Sequence, residues 1–177
     1  MSVIRLQDIA TTTSLALTDK LLICDNTTEN LVTVETLVSM AHLCYQATQS
    51  SSATLPGDGT MNKITLSGTG LESPLGASGM TISDGGIKVS AAGTYKVTAN
   101  LYLSQSSNPN GVYVHYGSTY SGATELCGVF TDAPRASIKQ VIGIVTVSAN
   151  TIFYLTGRAS TTSSTGSQGW LLVERYA

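Results

Sequence analysis

Charge is what this chain has least of. Charged side chains make up 11 % of its 177 residues, against about 25 % in an average globular domain. Its nine Lys and Arg are scattered, the net charge is −2 and the pI is about 5.5. A nucleic-acid surface needs a basic footprint, so nucleic acid is not an expected partner. Long apolar runs are missing too. No stretch approaches the ~20 residues needed to cross a bilayer, and the opening SVIRLQDIATTT has no continuous apolar core of the kind a signal peptide carries. Membrane insertion is therefore not expected, and folding in a cytoplasm is. Cysteine is scarce. Cys24, Cys44 and Cys127 are odd in number, widely spaced and contain no CxxC pair. That pattern indicates neither a disulfide framework nor a zinc site, and buried free thiols are the expectation.

Hydroxyls take the place of charge. Ser and Thr number 22 and 25. Thr favours strands and Ser favours turns. A hydroxyl-rich surface poor in long charged side chains also suits a particle built from many copies, because ordering such side chains at each contact costs entropy. With 42 % apolar residues the chain can still bury a core.

The sequence divides into three parts. Residues 1–45 read as a small ββα unit: LLIC (21–24) and LVTV (31–34) as strands around a polar turn, then a helix with Thr33 as N-cap and Glu35 in its first turn. Leu37, Met40, Ala41 and Cys44 fall on one helical stripe. A unit this small buries little by itself, so self-association or docking is expected. Residues 46–60, QATQSSSATLPGDGT, read as a linker or a loose first strand. Residues 61–177 are nearly all β, with short strands between regular turns, as in a sandwich or jelly roll. TYKVTANLYLS (94–104) alternates cleanly, with Tyr95, Val97, Ala99, Leu101 and Leu103 on one face. IKQVIGIVTV (138–147) does not: Ile138, Ile142 and Ile144 point one way, and Val141, Val145 and Val147 the other. A strand wet on one face alternates apolar with polar. One that is apolar on both is expected to have a packed sheet inside and a neighbouring subunit outside.

GIKVSAAGTYKVTANLYLS, with Gly93-Thr94-Tyr95 at its turn, resembles the early strands of the tumour-necrosis-factor-like jelly roll, the fold of the complement globular heads. The closing VSANTIFYLTGRASTTSSTGSQGWLLVERYA resembles its last two strands, Trp170, Leu171 and Leu172 matching the final aromatic-Leu-Leu pattern. The likeness covers roughly residues 80–177, with Ala149-Asn150 standing where the family usually has Gly-Asp. Residues 1–45, with Asp19-Lys20-Leu21-Leu22, resemble the small N-terminal unit of bacteriophage fibre and tail-spike proteins. Together the two resemblances imply a phage fibre: a virion-attachment unit followed by a homotrimeric knob, with the doubly apolar strands at the threefold axis. The candidate trimer contacts are Tyr95, Ile138, Ile142, Ile144, Phe153 and Trp170, and the candidate virion-attachment residues are Leu6, Ile9, Leu21 and Leu22. The implied partners are further copies of the chain and another virion protein of capsid or tail, and the implied location is the virion surface. The short span between the two parts favours a capsid head fibre over a long tail fibre.

Signals for catalysis are weak. Beyond residue 90 the acidic residues are Glu125, Asp132 and Glu174, a thin supply for the paired carboxyls of glycoside hydrolysis. His42 and His115 lie far apart, without the ligand cluster that zinc requires. No GxSxG elbow occurs. Gly68-Thr69-Gly70 and Asp84-Gly85-Gly86 read as turns rather than phosphate loops. Asp58-Gly59-Thr60-Met61-Asn62 lacks the carboxylates of a calcium loop. No cofactor, no metal and no enzymatic activity are expected. For a ligand, Asn110, Tyr113, Tyr116 and Tyr120 are the candidates, since Tyr and Asn offer a stacking face and hydrogen bonds to a host-surface glycan. Two alternatives stand beside the structural fibre: a receptor- or glycan-binding tail-fibre module, and an enzyme acting on polysaccharide.

Overall fold

The structure is a computed structural model that describes residues 3–4, 20–24, 29–33, 43–68, 79–104, 110–131, 137–160 and 164–176. The chain divides into two compact units, Met1–Ala41 and His42–Ala177.

In the first unit β1 (Val3–Ile4) pairs in parallel with β2 (Lys20–Cys24), and β2 forms an antiparallel hairpin with β3 (Glu29–Thr33). The two strands expected here are present. The expected helix, and Leu6 and Ile9, lie outside the described residues, as do the side chains of Leu21 and Leu22.

The second unit carries two sheets. The first contains β4 (Cys44–Gln49), β5 (Ala53–Leu55), β7 (Leu66–Ser67), β10 (Gly93–Leu103), β13 (Ser137–Val147) and β15 (Ser164–Arg175), in the order β13-β10-β15-β4-β7 with β5 on β15. The second contains β6 (Met61–Ile64), β8 (Met80–Ser83), β9 (Gly86–Val89), β11 (Asn110–Gly117), β12 (Thr124–Thr131) and β14 (Ile152–Ala159), in the order β12-β11-β14-β9-β8 with β6 on β14. The pairings within both sheets are antiparallel.

Alternation explains how the core forms. Tyr95, Val97, Ala99, Leu101 and Leu103 of β10 all face inward and are buried. They meet Phe153 and Leu155 of β14 and Val112 and Val114 of β11 in one hydrophobic cluster. Each of the valine, leucine and phenylalanine side chains contributes about 1.5–3 kcal/mol on full burial. Tyr95 and Phe153 sit with ring centroids 6.0 Å apart in a tilted arrangement, and the Tyr95 hydroxyl donates to the Ala91 carbonyl at 2.8 Å. Between β8 and β9 a two-residue turn places Asp84 (φ 48°) and Gly85 (φ 70°) in the left-handed region. That is the pattern of a type I′ hairpin, for which Asp-Gly is well suited.

Two expectations change. Of the two readings of residues 46–60, linker or loose first strand, the strand holds and the linker does not. β4 runs through Gln49 and pairs with β15 from Trp170 to Glu174, and Ala47 and Leu55 have no exposure. The segment is polar in composition because Gln46 and Thr48 alternate outward while Tyr45 and Ala47 go in. Cys44 accordingly belongs to a strand and not to a helical stripe.

Candidate interaction surfaces

The outward face of the first sheet follows from its register. Ile144, Lys96, Glu174 and Cys44 stand side by side across four strands, and Ile142, Thr98, Leu172 and Gln46 form the next row. Gln140, Asn100, Trp170 and Thr48 follow, then Ile138, Tyr102 and Ser167. At the β13 edge of this face Ile138, Ile142 and Ile144 are 66 %, 57 % and 59 % exposed. Tyr102, Leu172 and Trp170 are half-buried beside them. The face carries one ion pair, Lys96 Nζ to Glu174 Oε2 at 2.9 Å. Next to it the Cys44 thiol is pushed up by burial and by the Glu174 carboxylate, which keeps it a poor nucleophile.

Four of the six candidate trimer contacts, Ile138, Ile142, Ile144 and Trp170, therefore share one outward face. Tyr95 and Phe153 do not: at 2 % and 0 % exposure they belong to the core between the sheets. Tyr95 has the parity of Val97 and Leu101, so it points between the sheets and away from the outward face. Phe153 follows the inward side of β14 with Leu155.

The outward face of the second sheet is polar and aromatic. Lys63 Nζ bonds Asp84 Oδ1 at 2.7 Å and the Asp84 carbonyl at 2.9 Å. The Tyr154 hydroxyl donates to Asp84 Oδ2 at 3.1 Å. The Lys63 bond, followed by the Tyr154 bond, holds the Asp84 carboxyl below its ordinary value. Tyr120 covers Tyr154 edge-on at 5.5 Å, and its hydroxyl donates to the Met61 carbonyl at 3.1 Å. Lys63 Nζ lies 5.6 Å and 5.8 Å from the Tyr120 and Tyr154 ring centroids, within reach of cation–π attraction. Further along, His115 Nδ1 pairs with Thr156 Oγ1 at 3.0 Å. Burial pushes the imidazole down, against the pull of the Glu125 carboxylate. Arg158 stacks on Phe130 with 5.1 Å between the guanidinium carbon and the ring centroid.

This network fastens the strands together and leaves little for a ligand. Of the four glycan candidates, Asn110 is fully buried and Tyr113 is 7 % exposed. The Tyr113 ring lies flat on its cross-strand partner Gly128, where an added Cβ would sit 1.9 Å from Cδ1. Aromatic cover over a strand glycine is a packing device, and Asn110 and Tyr113 are packed in the sheet rather than presented at the surface. Tyr116 turns inward toward Phe153, centroids 6.4 Å apart, while one side of it lines a cleft at the end of the sandwich. The four residues do not form one site. The Asp58 carboxylate accepts from the Thr60 amide at 2.9 Å and hydroxyl at 2.7 Å, which closes a turn. Asp132 and His42 lie outside the described residues. Among the described residues no group of three or more His, Cys, Asp or Glu could hold a metal. No described helix is long and apolar enough to cross a membrane.

No family model and no curated protein matches the sequence. Solved structures do match. Murine APRIL at pH 5.0 superposes with a TM-score of 0.59 at 12 % identity, over 77 % of this chain and 100 % of that one. Eiger TNF from S. frugiperda superposes with a TM-score of 0.53 at 11 % identity, over 77 % of this chain and 93 % of that one. At such identities the likeness is one of fold. The second unit is a tumour-necrosis-factor-like jelly roll, as the Gly93-Thr94-Tyr95 and Trp170-Leu171-Leu172 segments led us to expect.

Proposed function

We propose that the chain is a structural virion protein, the subunit of a short homotrimeric fibre on a bacteriophage particle, with a capsid head fibre favoured over a tail fibre. Residues 43–176 form the exposed knob, and the N-terminal unit meets another virion protein. The observation that carries the proposal is the outward face of the first sheet. Three isoleucines more than half exposed on an edge strand, with Tyr102 beside Ile138 and with Leu172 and Trp170 beyond Thr98 and Asn100, form a surface that water penalises. Covering each isoleucine contributes about 1–2 kcal/mol. The face's charges already neutralise each other in the Lys96–Glu174 pair, so covering it strands no lone charge. The tumour-necrosis-factor-like resemblance implies threefold self-association, and the resemblance of residues 1–45 to fibre attachment units implies a virion. The first knob strand begins at Cys44, directly after a unit that ends at Ala41, which supports a short fibre. In this reading the knob assembles and adheres, and does not catalyse.

Light scattering coupled to size exclusion tests the assembly. A mass of three chains that survives dilution is the expected result, and a stable monomer overturns the proposal. Gold-labelled antibody against the knob should decorate the surface of intact particles, and absence of label from purified particles would overturn the virion assignment.

A further inference from the structure

β11 ends where β14 begins, Gly117 opposite Ile152. The loop that leaves β11 and the one that enters β14 therefore lie side by side, and between them is a cleft of about 480 Å³. We propose that this cleft binds a neutral saccharide of one or two rings. The site lies within a single chain and does not depend on the fibre reading.

Its chemistry narrows the ligand. None of the eleven lining residues is charged. Among the described residues a phosphate, sulfate or acidic sugar would find no lining cation, and a metal ion no lining carboxylate. Six of the eleven carry hydroxyls. Thr146 pairs with Thr94 and Thr151 donates to the Ser148 carbonyl, which leaves those of Tyr116, Ser118, Thr124 and Ser148, with the Asn150 carboxamide, to donate and accept as a polyol demands. Tyr116 supplies an aromatic surface against which the C–H face of a sugar ring can rest. The volume falls within the range of about 300–1,000 Å³ usual for small-molecule sites.

The walls are also held in advance. Asn150 adopts φ 66°, and its N–H donates to the Val89 carbonyl at 2.8 Å. The Val89 N–H returns to the Thr151 carbonyl at 2.9 Å, and the Thr151 hydroxyl closes the turn on the Ser148 carbonyl at 2.8 Å. On the opposite wall the Ala123 N–H donates to the Tyr120 carbonyl at 3.1 Å. Gly117 allows that loop to fold back, since a Cβ there would lie 3.0 Å from Ala123 Cα. Ser118, Thr124 and Ser148 are exposed residues that line the cleft from both sides. Preorganised walls reduce the ordering cost of binding.

The test is saturation-transfer NMR on the full chain, with the methyl glycosides of glucose, galactose and N-acetylglucosamine as probes and sialic acid as the charged comparison. At least one neutral glycoside should receive saturation. Ser148→Trp and Thr124→Trp fill the cleft from opposite walls at exposed positions, and each should abolish the signal with thermal melting unchanged. Two variants are used so that poor folding of one leaves the other to decide. Phe130→Ala, on the outward face of the second sheet, should retain it. No transfer to any neutral glycoside, transfer to sialic acid alone, or a signal that survives a folded cleft-filling variant would each overturn the proposal. Solution mass is measured separately, so failure here is distinguishable from failure of the trimer.

Discussion

Tyr154 has no exposed surface, and its hydroxyl is spent on Asp84. Burial, and then the Asp84 bond and charge, push its pKa up to about 12. The fold thus favours the neutral phenol. That contribution is complete below the ordinary tyrosine value of about 10 and fades as pH rises from there toward about 12. Asp84 has the opposite sign. Its lowered pKa contributes stability above the ordinary carboxylate range, and that is lost as pH falls through its folded value. Tyr154→Phe should cost about 1 kcal/mol at neutral pH and flatten the alkaline limb of the stability profile. Urea midpoints measured from about pH 7 to pH 11 give the answer, and an alkaline slope as steep as the parent's would refute the assignment. Single-residue roles were unevenly legible. Tyr95 stands among the expected trimer contacts, although its parity with Val97 and Leu101 turns it inward. Asn110 and Tyr113 looked available because they border a loop; what buries Tyr113 is Gly128, on a different strand.

β13 puts the two kinds of burial on one element. Val141 is 8 % exposed on the core side and Ile142 is 57 % exposed on the other. Asp at the two positions should therefore behave differently. Val141→Asp places an unpaired charge between the sheets and should destroy the fold. Ile142→Asp should keep the far-UV circular dichroism of the parent and yield monomers in light scattering. A trimer unaffected by Ile142→Asp would show that this face does not assemble. The pattern of β13 was visible in sequence because a period of two over ten residues leaves no doubt about faces. β4 was legible only as one of two readings: Tyr45 and Ala47 alternate with Gln46 and Thr48, but the strand it pairs with, β15, lies more than a hundred residues away.

For the whole molecule the consequence is mass action. If the covered face holds three chains together, only the assembled species gains from that burial, and stability depends on protomer concentration. The melting temperature of the parent should rise with protein concentration, while that of Ile142→Asp should not. Calorimetry over a hundredfold range of concentration checks this, and a concentration-independent parent would place the monomer at the centre of the protein's stability. The exposed strip sits on β13, an edge strand. Such an edge is a hazard unless covered, so assembly would satisfy its apolar side chains.

What the sequence by itself determined was the β class of residues 61–177, the positions of most of their strands, and the two-faced character of β13. Alternation and turn residues act over a few positions and are written locally. Only the tertiary structure decided which strands are neighbours, and therefore that Ile142 and Leu172 flank Thr98 on one face and that Gly117 meets Ile152 to open a cleft. Those pairings are set by how two sheets close over one core, and the contacts that fix them join residues tens to more than a hundred positions apart.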